Sequence, residues 1–148
     1  MHVYRIAEEK YAYKLTASGA PNRWNRQDQF VLYCGAHRSL SALELIVHRA
    51  NKRKDTYKTM VISLAQDPIL FTTLERKQLP HNWRSFLAEE QLRELGSVWY
   101  RDQKTPILRV PSIIIPQEYN YVLNTAHPLF PEVVELTEVE NFFWYKRL

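Results

Sequence analysis

Leu108-Arg109-Val110-Pro111-Ser112-Ile113-Ile114-Ile115-Pro116 is an apolar, β-favouring run with one small hydroxyl set into it. Branched aliphatic residues at that density read as a buried strand, here from Ile107 to Ile115. Pro111 has no N–H to give to a ladder, so the strand meets an edge, a bulge or a bend there. Ser112 is thus a polar side chain in a place that must be mostly buried. Two earlier segments share that character. Asn22-Arg23-Trp24-Asn25 sets a guanidinium beside a large aromatic, and Ser41-Ala42-Leu43-Glu44-Leu45-Ile46-Val47-His48 sets a carboxylate in an apolar stretch. An Arg, a Glu and a Ser, each among residues that belong in a core, describe a polar constellation held by a small folded enzyme.

At 148 residues the chain is read as one domain, 1–148, long enough to hide roughly 68–70% of the surface its unfolded form exposes. A composition 45% hydrophobic and 24% charged excludes disorder. A net charge of +4 favours solubility more than nucleic-acid binding, which shows a concentrated basic face. The single Cys34 excludes an internal disulfide and a thiolate metal cluster, and it fits a reducing compartment. Neither a signal-peptide run nor the ~20 apolar residues of a membrane span occurs, so a cytoplasmic protein without membrane contact is expected.

The elements follow from periodicity. Val3–Ile6 and Met60–Leu64 read as strands, and Phe30-Val31-Leu32-Tyr33-Cys34 as a strand ending at Gly35. Ala17 to Asp28 carries loop chemistry. Ser39 starts a helix in which Leu40, Leu43, Ile46-Val47 and Ala50 recur at helical spacing, with His48, Arg49, Lys52, Arg53 and Lys54 at its negative end. Gln66 to Arg84 reads as irregular. A second helix is expected from Ser85 to Tyr100, with Phe86, Leu87, Leu92, Leu95 and Trp99 inward and Gly96 weakening it. Glu132–Glu138 alternates as a half-exposed strand, and Asn141–Leu148 reads as a final aromatic strand. The fold class is α+β: a single compact domain of short, mostly antiparallel strands with two main helices.

Glu44 shares its helix face with Leu40 and Val47-His48, and an unpaired carboxylate there costs several kcal/mol. It needs a cation or donors, whether as a structural ion pair or as a working group. Arg23 has the fork geometry for a phosphate or carboxylate, with Trp24 beneath it; the alternative is a surface Arg covering an aromatic. Tyr33 closes a strand before a turn, as core tyrosines with a wet hydroxyl do. Ser112 lacks a Gly-x-Ser-x-Gly elbow and is not read as a nucleophile. The His spacing matches no metal motif, and His48 is the helix-face neighbour of Glu44. No metal is expected.

Taken in order, these segments resemble the RES domain, named for its Arg, Glu and Ser and known as the toxin half of bacterial Res–Xre toxin–antitoxin pairs. The resemblance begins with Val3-Tyr4-Arg5-Ile6 and runs through Arg23-Trp24-Asn25, Val31-Leu32-Tyr33 and Ser41 to His48. It continues with Gly96-Ser97-Val98-Trp99, Leu108 to Ser112, Glu118 to Asn124, Ala126-His127-Pro128 and Phe142 to Leu148. It implies a fold similar to ADP-ribosyltransferases and NAD+ as substrate, with growth arrest through NAD+ depletion or through ADP-ribosylation of a target protein. The family's polar residues carry over to Arg23, Tyr33, Glu44 and Ser112, with Arg5, Trp24, Asn25, His48 and Asn120 as further NAD+-binding positions. The resemblance also implies a DNA-binding, Xre-type antitoxin; a homodimer is compatible with it, and no direct nucleic-acid contact is expected. The family usually has glycine ahead of its Arg-Trp-Asn, where this chain has Pro21-Asn22, and Asn can enter the left-handed region that Gly would supply.

Two readings of other classes compete. An RNase toxin or nucleic-acid-binding module would use the basic run Arg49–Lys54 and show a steep salt dependence. A non-enzymatic interaction domain would use Arg23 and Glu44 only as a structural pair.

Overall fold

Val31-Leu32-Tyr33-Cys34 sends alternate side chains to opposite faces, as an extended chain must, and both faces are covered. Leu32 and Cys34 join a core with Val3, Met60, Ile62, Ile107 and Leu123. Val31 joins a second core with Trp24, Leu92, Trp99, Leu108 and Val122. A central strand clad on both sides places one sheet between two apolar layers. The computed structural model describes residues 1–49 and 56–145. It shows a single α+β domain, as the composition and periodicity predict.

The strands are β1 (His2–Glu8), β2 (Val31–Gly35), β3 (Tyr57–Leu64), β4 (Phe71–Thr73), β5 (Ile107–Pro111), β6 (Tyr119–Asn124) and β7 (Val134–Asn141). They form a seven-stranded sheet in the order β4-β5-β6-β2-β1-β3-β7. Every pairing is antiparallel except β4 with β5. The helices are α1 (Arg38–Arg49), α2 (Glu89–Asp102) and the short α3 (Phe130–Val133).

The sheet is uneven in one place, and that place makes the site. β1 pairs with β3 along its whole length, and β2 does so with β6. Between β1 and β2 the only register pair is Tyr4 with Gly35. Beyond it the strands part and leave a gap inside the sheet. Gly35 is required there: a Cβ would lie 2.6 Å from Ser41 Oγ, so the start of α1 comes down directly on the turn. Ser41 Oγ then donates to Tyr4 O at 2.7 Å, tying α1 to β1.

Several sequence expectations are corrected. The strand from Ile107 stops at Pro111; the chain turns through residues 112–118, and Ser112 N donates to Glu118 O at 2.8 Å as β6 begins. Pro111 thus ends a strand and does not interrupt one. β4 lies within the segment read as irregular, and three residues are too few to show a period. Phe86 and Leu87 do not face inward: they are 81% and 82% exposed, in a 3₁₀ turn ahead of α2, whose start is Glu89. Leu92 and Trp99 are buried as expected. β7 ends at Asn141, and Phe142 and Trp144 leave the sheet to pack edge-on against Tyr57. Residues 146–148 of the expected last strand, Ala50, and the basic run beyond Arg49 lie outside the described residues. Among the described residues, no helix is long and apolar enough to cross a membrane.

Candidate active site

The gap between β1 and β2 opens into a cleft of about 790 Å³, walled by those strands, by α1 and by the 16–24 segment. Arg5, Arg23, Trp24, Tyr33, Glu44, His48 and Asn120 all line it. Residues more than a hundred positions apart in sequence are thus brought to one cavity. Asn25 and Ser112 do not line it. Both are fully buried behind the wall and act on residues that do.

Glu44 lies on the cleft side of α1, with its side chain 23% exposed. Oε1 accepts from Asn120 Nδ2 at 2.8 Å and from Ser112 Oγ at 3.3 Å. Oε2 faces His48 Nε2 at 3.4 Å, one helical turn on. Burial opposes ionisation, but the hydrogen bonds from His48, Asn120 and Ser112, with the charge of His48, outweigh it and hold the carboxyl below its ordinary value. The group is a carboxylate, fixed in direction and shielded from bulk water.

Ser112 explains its own place in the apolar run. Its Oγ accepts from Ile114 N and Ile115 N, both at 3.1 Å, which leaves its one proton for Glu44. A hydroxyl used in this way has no free lone pair with which to attack. Asn120 is held by Nδ2, and its Oδ1 is buried with no partner, an acceptor left over at the cleft wall.

The Arg23 segment is built just as tightly. Asn22 and Asn25 form an isolated antiparallel bridge, and Asn22 Oδ1 accepts from Arg23 N at 2.8 Å. Asn22 is not among the residues with positive φ, which are Gly19, Asp28 and Gln103. Asn22 does not use the left-handed region open to it, and its side chain shapes the turn by accepting that N–H. Asn25 Nδ2 donates to the carbonyls of Ala20, Arg26 and Gln29. Tyr33 Oη accepts from Trp24 N at 3.1 Å and donates to Asn25 Oδ1. Burial pushes the Tyr33 phenol well above its ordinary value, so it remains a neutral donor. Tyr33→Phe leaves the Trp24 N–H and Asn25 Oδ1 unpaired, and should cost about 1–3 kcal/mol of stability in denaturant unfolding.

Arg23 and Glu44 share the cleft but form no ion pair among the described residues. His48, and not Arg23, faces the Glu44 carboxylate. Neighbouring Arg26 is held by Glu90 and Glu94 at 2.7 and 2.6 Å, while Arg23 has no carboxylate partner among the described residues. Of the two, Arg23 is the one that lines the cleft. Arg5 spans the strand gap, donating from Nη1 to Tyr33 O at 3.2 Å. Sequence reasoning did not single out Lys10, Tyr11, Tyr13 and Lys14, which line the same cleft. The Lys-Tyr-Ala-Tyr-Lys alternation was visible, but nothing in it told a surface run from a cleft wall.

The sequence matches the RES domain over residues 2–145. The chain belongs to the RES domain family. Among curated relatives, this RES domain is 31% identical over 133 residues to the Prs ADP-ribosylating toxin of Sphingobium sp. (strain YBL2), covering 84% of this chain and 83% of that one. It is 29% identical over 153 residues to Toxin Res of Yersinia enterocolitica, covering 100% and 99% of the two chains. Its fold is shared with a chain of the M. tuberculosis MbcT–MbcA toxin–antitoxin crystal structure, at a TM-score of 0.77 and 14% identity over 95% of this chain and 83% of that one.

Proposed function

We propose that this RES domain is the toxin of a toxin–antitoxin pair and an enzyme that breaks the nicotinamide–ribose bond of NAD+. The observation that carries the reading is a carboxylate held ionised by Asn120, Ser112 and His48 in a cleft that Arg23 also lines, a guanidinium with no carboxylate partner among the described residues. A cleft of about 790 Å³ lies within the roughly 300–1,000 Å³ range of ligand sites. The names of its relatives, an ADP-ribosylating toxin and Toxin Res, agree with the chemistry.

In that reaction the C1′–N bond breaks and its electron pair goes to the ring nitrogen, so nicotinamide leaves neutral. No general acid is needed, unlike most glycoside hydrolysis, and one carboxylate suffices. Glu44 faces the ribose and stabilises the positive charge that develops on it. Arg23 grips the pyrophosphate, with Arg5 beside it. Tyr33 holds the Arg23 turn and walls the ribose end, and Ser112 and Asn120 aim Glu44. Attack by water on the ribose cation gives ADP-ribose and a proton; attack by phosphate or by a protein side chain gives the phosphorolysis or ADP-ribosylation product.

The relative named as an ADP-ribosylating toxin supports the protein-acceptor outcome as a second reading. Such an enzyme needs restraint in the cytoplasm. A cognate antitoxin, the partner type named in the MbcT–MbcA structure, would cover this cleft. Expression of the chain alone in bacteria should slow growth and lower cellular NAD+, while Glu44→Gln at equal soluble levels should do neither. Arrest by both proteins, with the NAD+ pool intact, would overturn the proposal.

The carboxylate environment also sets a pH dependence. Activity that needs ionised Glu44 is lost as pH falls through its folded-state pKa, which is lowered, so the acid limb of kcat/KM should lie below the ordinary carboxylate range. His48→Gln and Ser112→Ala each remove a stabilising contact and should move that limb upward. By linkage, the stabilisation Glu44 gives the fold is present above its unfolded pKa and is lost as pH falls through the folded value. Initial rates of nicotinamide release at low NAD+, from well below the ordinary Glu pKa of about 4.3 to neutral pH, measure the limb directly.

A further inference from the structure

Gly96 is the wrong residue for the middle of a helix, where it weakens the backbone that α2 must hold straight. The structure gives the reason for it. A Cβ at Gly96 would lie 1.8 Å from Trp24 O and 2.6 Å from the Trp24 carbonyl carbon. No side chain fits; the backbone of the Arg23 turn lies directly on the helix.

Other contacts join the same two segments. Arg93 Nε donates to Asn22 O at 3.2 Å, just before Arg23. Arg26 Nη2 donates to Glu90 and Glu94, just after it. Gln29 Nε2 donates to the buried Ser97 Oγ at 2.8 Å, and Gln29 Oε1 accepts from Arg26 N at 2.7 Å. None of Glu90, Arg93, Glu94, Gly96 and Ser97 lines the cleft, while Asn22 and Trp24, which two of them touch, do.

We propose that α2 is the platform that positions Arg23, with Gly96 and Arg93 as positioning residues that act through the Trp24 and Asn22 carbonyls. The proposal rests on the NAD+ reading for its kinetic consequence, but not for its structural one. Gly96 lets the turn settle at van der Waals distance, and Arg93 fixes its entry. The pairing of Arg26 with Glu90 and Glu94 keeps those two carboxylates of α2 occupied next to Arg23. A displacement of Arg23 by as little as ~1 Å is enough to reduce an oriented interaction about a hundredfold.

Two readouts test this separately. The first uses no ligand: hydrogen exchange at the Trp24 amide, which donates to Tyr33 Oη. Gly96→Ala and Arg93→Gln should both accelerate it, with α2 still protected. Unchanged exchange in both variants overturns the platform, whatever the kinetics do. The second is nicotinamide release from NAD+. Gly96→Ala should raise KM about tenfold or more with kcat within about twofold, the signature of lost substrate binding. Combined with Arg23→Ala, Gly96→Ala should add nothing further, because it works only through Arg23. A full additional loss on the Arg23→Ala background assigns Gly96 a merely structural role and overturns the proposal. If Gly96→Ala fails to fold, Arg93→Gln, a change at a partly exposed side chain, is judged by the same two criteria. If Arg23→Ala leaves KM unchanged while Trp24 exchange accelerates as stated, the platform stands and the pyrophosphate assignment fails.

Discussion

Glu44→Gln protein should bind NAD+ much as the wild type does and release nicotinamide on the order of 10²–10³-fold more slowly. The substitution keeps the size of the side chain and can keep a hydrogen bond with Asn120, so the fold and the cleft should survive. It removes the negative charge. That charge matters only as the glycosidic bond stretches and the ribose becomes cationic, so the loss should fall on kcat. The same logic excludes a rescue by Ser112, whose proton and lone pairs are already assigned to Glu44, Ile114 and Ile115. Single-turnover rates at saturating NAD+ check this. A loss confined to KM would assign Glu44 to ground-state binding.

Arg23→Ala should do the reverse, raising KM by roughly tenfold to a hundredfold with a smaller change in kcat, as loss of a charge-assisted fork to phosphate would. Arg23→Lys should recover only part of the loss, because a point charge replaces a planar bidentate group. The stability of both variants should stay close to wild type, since the Arg23 guanidinium has no ion-pair partner among the described residues to lose. Titration of NAD+ by calorimetry, with Glu44→Gln as the background so that turnover is slow, reads the affinity directly. Equal affinity with and without the Arg23 fork would remove its assigned role.

These two side chains were legible from sequence because each is chemically out of place where it sits. Glu44 breaks an apolar helical face, and Ser112 breaks an apolar run; physics demands a partner for each, and each partners the other. What sequence could not show is which side chain faces Glu44. His48, at i+4, lies on the same helix face, but spacing alone does not tell a helix neighbour from a residue brought in from elsewhere in the chain. Gly96 is a second case. Helix propensity marks it as a weakness, and only the placement of the Trp24 carbonyl turns it into a requirement.

The strands were legible in proportion to their length and burial. β2 and β3 are aliphatic and clad on both faces. β6 carries Asn120 and Asn124, poor strand formers whose side chains are committed to the site and to a turn, so its pattern was hidden by its function. Phe86 and Leu87 misled for the opposite reason, being apolar residues that the fold leaves in water. The cleft itself had no sequence signature. It arises because β1 and β2 pair at one position and then part, a property of register that no local pattern encodes.

The most direct test is to incubate the purified, folded chain with NAD+ and quantify free nicotinamide over time. The account predicts nicotinamide in excess of enzyme, accompanied by ADP-ribose, its phosphorolysis product or a modified protein according to the acceptor supplied. NAD+ recovered intact in the presence of each of those acceptors, from protein whose fold is verified, would contradict it.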